Sequence, residues 1–205
     1  MIYRKVIPAL FFSAFNTLYS PLKGLTVQND RTNPNKIIVI DLETTGLYPE
    51  CGDRIVEVGA VPVIGNEVLV SEGFETFVDP GVPIPPHITK ITSITDEMVR
   101  GAPPIEDVLP RFIAYIEDFP LVAHNAPFDI GFLQLYIKKL GLKPLTNKVI
   151  DTVILSKQVF YESSRHNMDA VLRRLGIEYD KSLRHRSMED AYLTALSYVR
   201  LRGML

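Results

Sequence analysis

A run of apolar residues that ends in two carboxylates constrains this chain more than any other stretch. Residues 37–40 read Ile-Ile-Val-Ile, and Asp41 and Glu43 follow directly. Four consecutive apolar, β-branched residues favour a strand that is buried on both faces. Side chains of a strand alternate between the faces, so Asp41 and Glu43 point to the same side. We therefore expect a central strand that carries two neighbouring carboxylates at its carboxyl end.

Two carboxylates placed so close together repel each other unless a cation lies between them. Oxygen ligands favour Mg²⁺ or Mn²⁺ over zinc. The next residues, Thr44-Thr45-Gly46, are typical of a turn whose backbone N–H groups can face a phosphate or a terminal hydroxyl. The alternative is a strand end with two solvated acids, and an Asp-x-Glu pattern alone does not discriminate between the two.

Composition narrows the class of protein. The chain has 205 residues, enough for one domain and an additional segment. Cys51 is its single cysteine, which excludes an internal disulfide framework and a cysteine-based zinc cluster, and we expect a cytoplasmic protein. Residues 41–137 carry sixteen acidic and four basic side chains, whereas residues 138–205 carry seven acidic and thirteen basic ones. The acidic block contains most of the candidate metal ligands, and the basic block could supply a rim that binds phosphates.

The first 35 residues differ from the rest, and we divide the chain into an extension with a linker (1–35) and a domain (36–205). Arg4 and Lys5 precede a ten-residue apolar run, and a polar tract follows from residue 28. The run is too short to span a membrane. Three interpretations remain open, namely an additional helix that packs on the domain or on a partner, a targeting segment, or a membrane contact.

Between the carboxylate strand and the end of the chain, the pattern alternates between strands and helices. Turn residues Gly65-Asn66 predict a hairpin, and residues 79–86 contain four prolines that exclude regular structure. Further strands are predicted near 54–61, 68–70, 74–78 and 121–123. Helices are predicted near 87–90, 95–100, 105–119, 128–140, 151–160, 167–175 and from about 187 to the end.

Two more acids are candidates for a shared site. Asp129 falls in the first turn of the helix that follows the short strand at 121–123, where a lone acid is usually only a partner of the helix dipole. Asp190 shares a flank of the last helix with core residues, and burying an acid there costs several kcal/mol without a partner. A metal would be such a partner. His185, five residues earlier in a basic loop, could reach the same place.

These segments resemble a known family. Residues 41–46, residues 124–129 and the pair His185-x4-Asp190 are similar, in order and spacing, to the three motifs of the DEDDh (DnaQ-like) 3′→5′ exonucleases, the group that contains the proofreading epsilon subunit of bacterial DNA polymerase III. The resemblance extends from about residue 36 to residue 200. Three intervening segments also look like those of the family: 83–86, 95–98 and 167–170.

The resemblance implies an α/β architecture with an RNase H-like fold, a five-stranded mixed sheet flanked by helices, beside the extra N-terminal helical segment. It also implies two Mg²⁺ or Mn²⁺ ions, which together can stabilise the attacking and leaving oxygens of a phosphodiester. Their expected ligands are four carboxylates: Asp41, Glu43, Asp129 and Asp190. His185 suits the general base. Position 186, where another branch of the family places a tyrosine base, is Arg186, so the histidine branch fits.

Further residues are assigned to the substrate by the same resemblance. Thr44 and Gly46 would meet the 3′-terminal hydroxyl, and Leu47 and Phe128 would pack on the last bases. Asn125 would help to position the strand. His124 is expected to be a hydrogen-bonded structural residue. The chain departs from many relatives at residues 92–93, Thr-Ser, where they carry His-Gly in the context of a terminal-nucleotide contact.

Three functions follow from this resemblance. The first is a metal-dependent 3′→5′ exonuclease that hydrolyses single-stranded DNA to nucleoside 5′-monophosphates, alone or as a proofreading partner of a DNA polymerase. The second is a 3′→5′ exoribonuclease that trims RNA. The third is a catalytically silent accessory module. If a polymerase binds, the N-terminal segment is the expected contact.

Overall fold

The computed structural model describes residues 35–205. The expectations for the N-terminal extension therefore lie outside the described residues, apart from Asn35 at its end. Among the helices of the described part, none is both long and apolar enough to cross a membrane.

A mixed β-sheet forms the centre of the described domain, and six strands are found between residues 35 and 205. They are β1 (Lys36–Thr44), β2 (Ile55–Ile64), β3 (Glu67–Val68), β4 (Phe74–Phe77), β5 (Leu121–Ala123) and β6 (Val149–Asp151). The order is β3-β2-β1-β5-β6, and β4 also pairs with β2. β1 lies antiparallel to β2 and parallel to β5, which in turn lies parallel to β6. β1 is therefore the central strand that its apolar run predicts.

The sheet has one strand more than the five expected, and β6 is the strand that the sequence did not indicate. It has three residues, Val149–Asp151, too few for an alternating pattern to show. Its last residue also begins the next helix, because the Asp151 carboxylate accepts a hydrogen bond of 2.8 Å from the backbone N–H of Val153. Asp151 is therefore both the last residue of the strand and the N-cap of the helix, so in the sequence it indicates the start of a helix and not a strand.

Helices cover both faces of the sheet. Within residues 35–205 the α-helices are α1 (Pro86–Thr92), α2 (Asp96–Val99), α3 (Ile105–Ile116), α4 (Pro127–Lys139), α5 (Thr152–Val159), α6 (Met168–Arg174) and α7 (Ser187–Arg202). The predicted N-cap of α6 is confirmed, since the Asn167 side chain accepts from the backbone N–H of Ala170 at 3.2 Å. Pro110 lies inside α3, and this helix ends three residues earlier than predicted.

The alternation of side chains along β1 determines which helix covers which residue. Ile38, Ile40 and Leu42 belong to a core cluster that includes side chains of α3 and α4. Ile37 and Val39 belong to a second cluster, formed with side chains of α7. Asp41 and Glu43 continue this second face, because strand side chains repeat every two residues. The two carboxylates therefore emerge on the side of the sheet that α7 covers.

Candidate active site

The carboxyl end of β1 carries the first two candidate ligands in the middle of the sheet. Asp41 pairs with Gly59 of β2, and Glu43 pairs with Glu57, just before the register shifts at Thr44. Glu43 is 8% exposed. Both carboxylates thus belong to a rigid, paired strand, which fixes the direction of their side chains.

Asp129 reaches the same place from the opposite layer. It lies in the first turn of α4 and is buried. Its Oδ1 accepts a hydrogen bond of 3.0 Å from the backbone N–H of Leu42, the residue between the two carboxylates of β1. The predicted convergence of Asp129 with the end of β1 is therefore present, and a buried backbone hydrogen bond holds it.

Asp190 and His185 approach from the α7 side. Asp190 lies in the first turn of α7 and is buried. The backbone N–H of His185 points to Oδ2 of Asp190 at 3.3 Å, and His185 has a left-handed φ of 63°. One possible ligand atom from each of Glu43, His185 and Asp190 lies within 4.8 Å of the other two. Two layers of the fold thus meet at one point.

Electrostatics favour a cation at this point. Burial, and then the charges of Asp190 and Asp129, raise the pKa of Asp41 well above its ordinary value. Burial and the charge of Asp190 do the same to the pKa of Glu43. Burial raises the pKa of Asp129 to about 8, although the hydrogen bond from Leu42 favours its charged form. Glu43, Asp129 and Asp190 are buried and Asp41 is half-buried. These four carboxylates repel one another, and together with the nearby His185 imidazole they form a donor set that fits hard divalent ions such as Mg²⁺ or Mn²⁺.

Arg184 also belongs to this site, although sequence reasoning placed it only in a basic loop. Its guanidinium forms an ion pair with Asp190 and lies 3.3 Å from Asp169, and its side chain is 12% exposed. Burial raises the pKa of Asp190, and Arg184 opposes that shift. The available signal was that Arg184 directly precedes His185 in a short loop, because adjacent residues of such a loop lie close to the same site.

His124 and Asn125 form a turn behind the acidic cluster. Nδ1 of His124 lies 2.8 Å from the Thr152 hydroxyl, and burial lowers the pKa of His124 to about 4. This neutral, hydrogen-bonded state agrees with the structural role expected for it. Asn125 adopts a left-handed φ of 65°, and its backbone N–H donates to the Asp151 carboxylate at 3.0 Å. The sequence did not single out Asp151.

Among the residues assigned to the substrate, Thr44 ends β1, Gly46 and Leu47 lie in the turn that follows, and Phe128 lies in the first turn of α4. The Thr44 hydroxyl donates to the Gly46 carbonyl at 2.5 Å, and a Cβ atom at Gly46 would overlap the Asp53 carboxylate. Leu47 follows with 64% of its surface exposed, so it can contact a ligand. Phe128 is half-buried, and its ring packs on Phe132 at 5.1 Å between centroids.

Comparison with known proteins identifies the family. A family model described as Exonuclease matches residues 38–198. A DNA polymerase III subunit epsilon-like protein of Rhodobacter capsulatus is 43% identical over 164 residues, which cover 80% of this chain and 23% of that protein. The DNA polymerase III subunit epsilon of Pasteurella multocida is 38% identical over 178 residues, which cover 83% of this chain and 69% of the relative. The chain thus spans less than a quarter of the first relative's length.

Solved structures of other exonucleases share the fold. Exonuclease X, solved with 5′-overhanging duplex DNA, superposes with a TM-score of 0.63 at 29% identity, over 82% of this chain and 91% of that one. The nuclease domain of 3′hExo, a DEDDh family member bound to rAMP, has a TM-score of 0.71 at 23% identity, over 82% of this chain and 92% of that one. With the family model, the epsilon relatives and the RNase H-like architecture in agreement, this chain belongs to the exonuclease family.

Proposed function

We propose that this protein is a metal-dependent 3′→5′ exonuclease that hydrolyses single-stranded DNA and releases nucleoside 5′-monophosphates. The observation that carries the proposal is the convergence of acids from separate elements beside one exposed histidine. Asp41 and Glu43 come from β1, Asp129 comes from α4, and Asp190 comes from α7, next to His185. A catalytically silent module would have no need to bring together four acids that destabilise one another, three of them buried.

In this proposal the residues of the chain divide the chemistry between them. The four carboxylates would hold two divalent ions, and bound ions supply positive charge for the attacking and leaving oxygens of an in-line displacement. His185 is exposed and so can accept a proton from the attacking water at an imidazole nitrogen and release it to solvent. The buried strand and helix ends hold the carboxylates in place, so the site needs little rearrangement during the reaction.

The substrate side is proposed from the turn after β1. Thr44 and Gly46 would contact the 3′-terminal hydroxyl, because they form a tight, hydrogen-bonded turn directly beside the carboxylates. Leu47 and Phe128 would pack on the terminal bases, and Asn125 would orient the strand. Base stacking on apolar and aromatic side chains tolerates any sequence, as an enzyme that removes successive nucleotides requires.

DNA is favoured over RNA by the names of the relatives. Both epsilon relatives are named after DNA polymerase III, and the exonuclease X structure contains DNA. A polymerase partner is proposed on the same ground, with proofreading as the role. The cytoplasm stays the expected location. The alternative function is that of an exoribonuclease, and the substrate test below distinguishes between the two.

The decisive experiment is digestion of matched DNA and RNA oligonucleotides, labelled at the 3′ or the 5′ end, with Mg²⁺, Mn²⁺ or EDTA. Asp41→Ala is the inactive variant, and Asp118→Ala, which changes an exposed acid outside the site, is its matched control. We expect stepwise shortening from the 3′ end that needs both metal and Asp41, with DNA degraded faster. Faster cleavage of RNA would overturn the substrate, and no metal-dependent cleavage of either polymer would overturn the enzyme.

Proofreading is tested on a primer–template whose 3′ end is either paired or mismatched. An editing exonuclease removes the mismatched terminal nucleotide faster, because an unpaired end is already single-stranded. Equal rates on the two ends would contradict the proofreading role and leave the exonuclease proposal intact.

A further inference from the structure

A buried carboxylate on strand β2 forms an ion pair immediately beside the four site carboxylates, and its arginine partner is 33% exposed. Glu57 is 1% exposed and lies directly opposite Glu43 in the β1–β2 ladder. Its carboxylate accepts hydrogen bonds from Arg186 Nε at 3.1 Å and Arg186 Nη2 at 2.6 Å. It also accepts a hydrogen bond of 2.9 Å from the backbone N–H of Ser187. A single buried carboxylate thus binds both residues at the start of α7.

The guanidinium of Arg186 is held on its other side as well. Its central carbon lies 5.2 Å from the centroid of the Phe77 ring on β4, and the Glu75 carboxylate is 3.9 Å from Nη2. A planar guanidinium that is forked on a carboxylate and stacked on a ring has little rotational freedom. Arg186 is therefore held by its hydrogen bonds to Glu57 on β2 and by the Phe77 ring on β4, whereas Glu75 lies too far away for a hydrogen bond.

Close backbone approach reinforces the same contact. Gly59 follows Glu57 by two residues and so lies on the same face of β2. A Cβ atom at Gly59 would overlap the backbone of Ser187 and Met188. The strand can therefore bring its own backbone against the first turn of α7 only because this position is glycine.

Arg186 and Ser187 lie between two candidate catalytic residues in the chain, His185 and Asp190. His185 directly precedes Arg186, and its left-handed φ of 63° directs the chain into the contact. The backbone N–H of Asp190 donates to the Arg186 carbonyl at 2.9 Å. Any shift of Arg186 would therefore move His185 and Asp190 together.

We propose that Glu57 and Arg186 are positioning residues, which set the distance between the β1 carboxylates and the pair His185–Asp190. This inference rests on the proposed function. Neither side chain reacts, and both act through the loop 184–187 and the first turn of α7. A misplacement of about 1 Å in a catalytic group costs up to about 10²-fold in rate, so the ion pair affects turnover more than substrate binding.

The test compares Glu57→Gln with Glu75→Gln. Both replace a carboxylate near Arg186 by its neutral isostere. Glu57 accepts hydrogen bonds from Arg186, whereas the Glu75 carboxylate lies 3.9 Å from Nη2. We expect Glu57→Gln to lower kcat about 10–100-fold with KM changed by less than about threefold. Glu75→Gln should stay within about twofold of the wild type. A role in stability alone would lower the melting temperature and leave kcat per folded molecule unchanged.

A second readout does not depend on nuclease activity. Mn²⁺ binding, followed by electron paramagnetic resonance, should weaken at least about fivefold in Glu57→Gln, since a displaced Asp190 no longer completes the ligand set. Arg186→Lys keeps the charge beside buried Glu57 but loses the fork, and it serves if Glu57→Gln does not fold. We expect it to show the same changes in smaller degree.

The outcomes separate the two proposals. An inactive wild type that binds Mn²⁺ overturns the proposed function, and the Mn²⁺ affinities of the variants still decide the positioning role. An active wild type whose folded Glu57 and Arg186 variants retain wild-type kcat and Mn²⁺ affinity overturns the positioning role and leaves the exonuclease proposal standing.

Discussion

The backbone N–H of Leu42 donates a buried hydrogen bond of 3.0 Å to Oδ1 of Asp129. Leu42 lies beyond Val39, the last residue of β1 that pairs with β5. The Asp129 side chain therefore takes the place that a neighbouring strand would have at this edge. The bond ties the start of α4 to the strand that carries Asp41 and Glu43. It also fixes Asp129 at a depth where its ionisation is costly, which gives the site a measurable pH dependence.

We expect the metal-free protein to lose stability as the pH rises from about 6.5 to about 8. Burial raises the pKa of Asp129 to about 8, so across this window the folded state retains a proton that the unfolded state has released, and folding weakens as the pH rises. His124, whose pKa burial lowers to about 4, acts with the opposite sign below about pH 6.5, which is why the window starts there. Thermal unfolding in EDTA measures the effect, at roughly 2–4 °C per kcal/mol for a chain of this size.

Asp129→Asn is the variant for that measurement, with Asp118→Asn as its exposed control. The amide oxygen can still accept from Leu42, so the fold is kept while the charge is lost, and the stability should fall less between pH 6.5 and 8. Added Mn²⁺ should stabilise the wild type more at pH 8 than at pH 6.5, because its ligands must be deprotonated. An identical pH dependence in Asp129→Asn and the wild type would contradict the assignment.

Replacement of His185 should separate turnover from metal binding. His185→Gln removes the proposed proton acceptor, which contributes typically about 10²–10⁴-fold to rate, but leaves the four carboxylates in place. We expect kcat to fall within that range while the number of bound Mn²⁺ ions is unchanged. His87→Gln, at an exposed position of α1, should retain wild-type activity. A His185→Gln variant with normal kcat would exclude the residue as the general base.

Leu47 should contribute to substrate binding and little to stability. It is 64% exposed, so truncation to alanine removes almost no core contact. Covering an exposed leucine side chain contributes up to about 1.5–3 kcal/mol, and we expect KM for single-stranded DNA to rise about 10–100-fold in Leu47→Ala. Leu205→Ala, at a position that is 66% exposed, is the matched control. Equal KM values for the two variants would remove Leu47 from the substrate site.

Arg184 should weaken metal binding in the wild type. Its guanidinium pairs with Asp190 inside the acidic cluster, and a divalent ion must compete with that charge. We expect Arg184→Met to bind Mn²⁺ about tenfold more tightly, a change of about 1.4 kcal/mol, and to be less stable than the wild type in EDTA. Arg111→Met, at an exposed position of α3, controls for the loss of one positive charge. Weaker Mn²⁺ binding in Arg184→Met would show instead that the arginine supports the ligand geometry.

Much of the fold was predictable because local patterns encode it. The apolar run at 37–40 predicts a central buried strand, and the structure confirms it, since a strand covered on both faces needs apolar side chains at every position. The fold class and the family were also predicted from three short motifs, and both are confirmed. The roles of the individual site residues stay predictions, although the structure brings Glu43, His185 and Asp190 together.

What the sequence determined by itself is therefore which residues face which side of each element, because periods of two and 3.6 residues are local properties. Only the tertiary structure decided which of those faces meet. Leu42 and Asp129 are 87 residues apart in the chain, and Glu57 and Arg186 are 129 apart. Nothing in either local pattern specifies its partner, since these contacts depend on the order of strands in the sheet and on where each helix begins. Burial of the acidic cluster is likewise a product of packing, and with it the electrostatic repulsion that makes the site fit divalent cations.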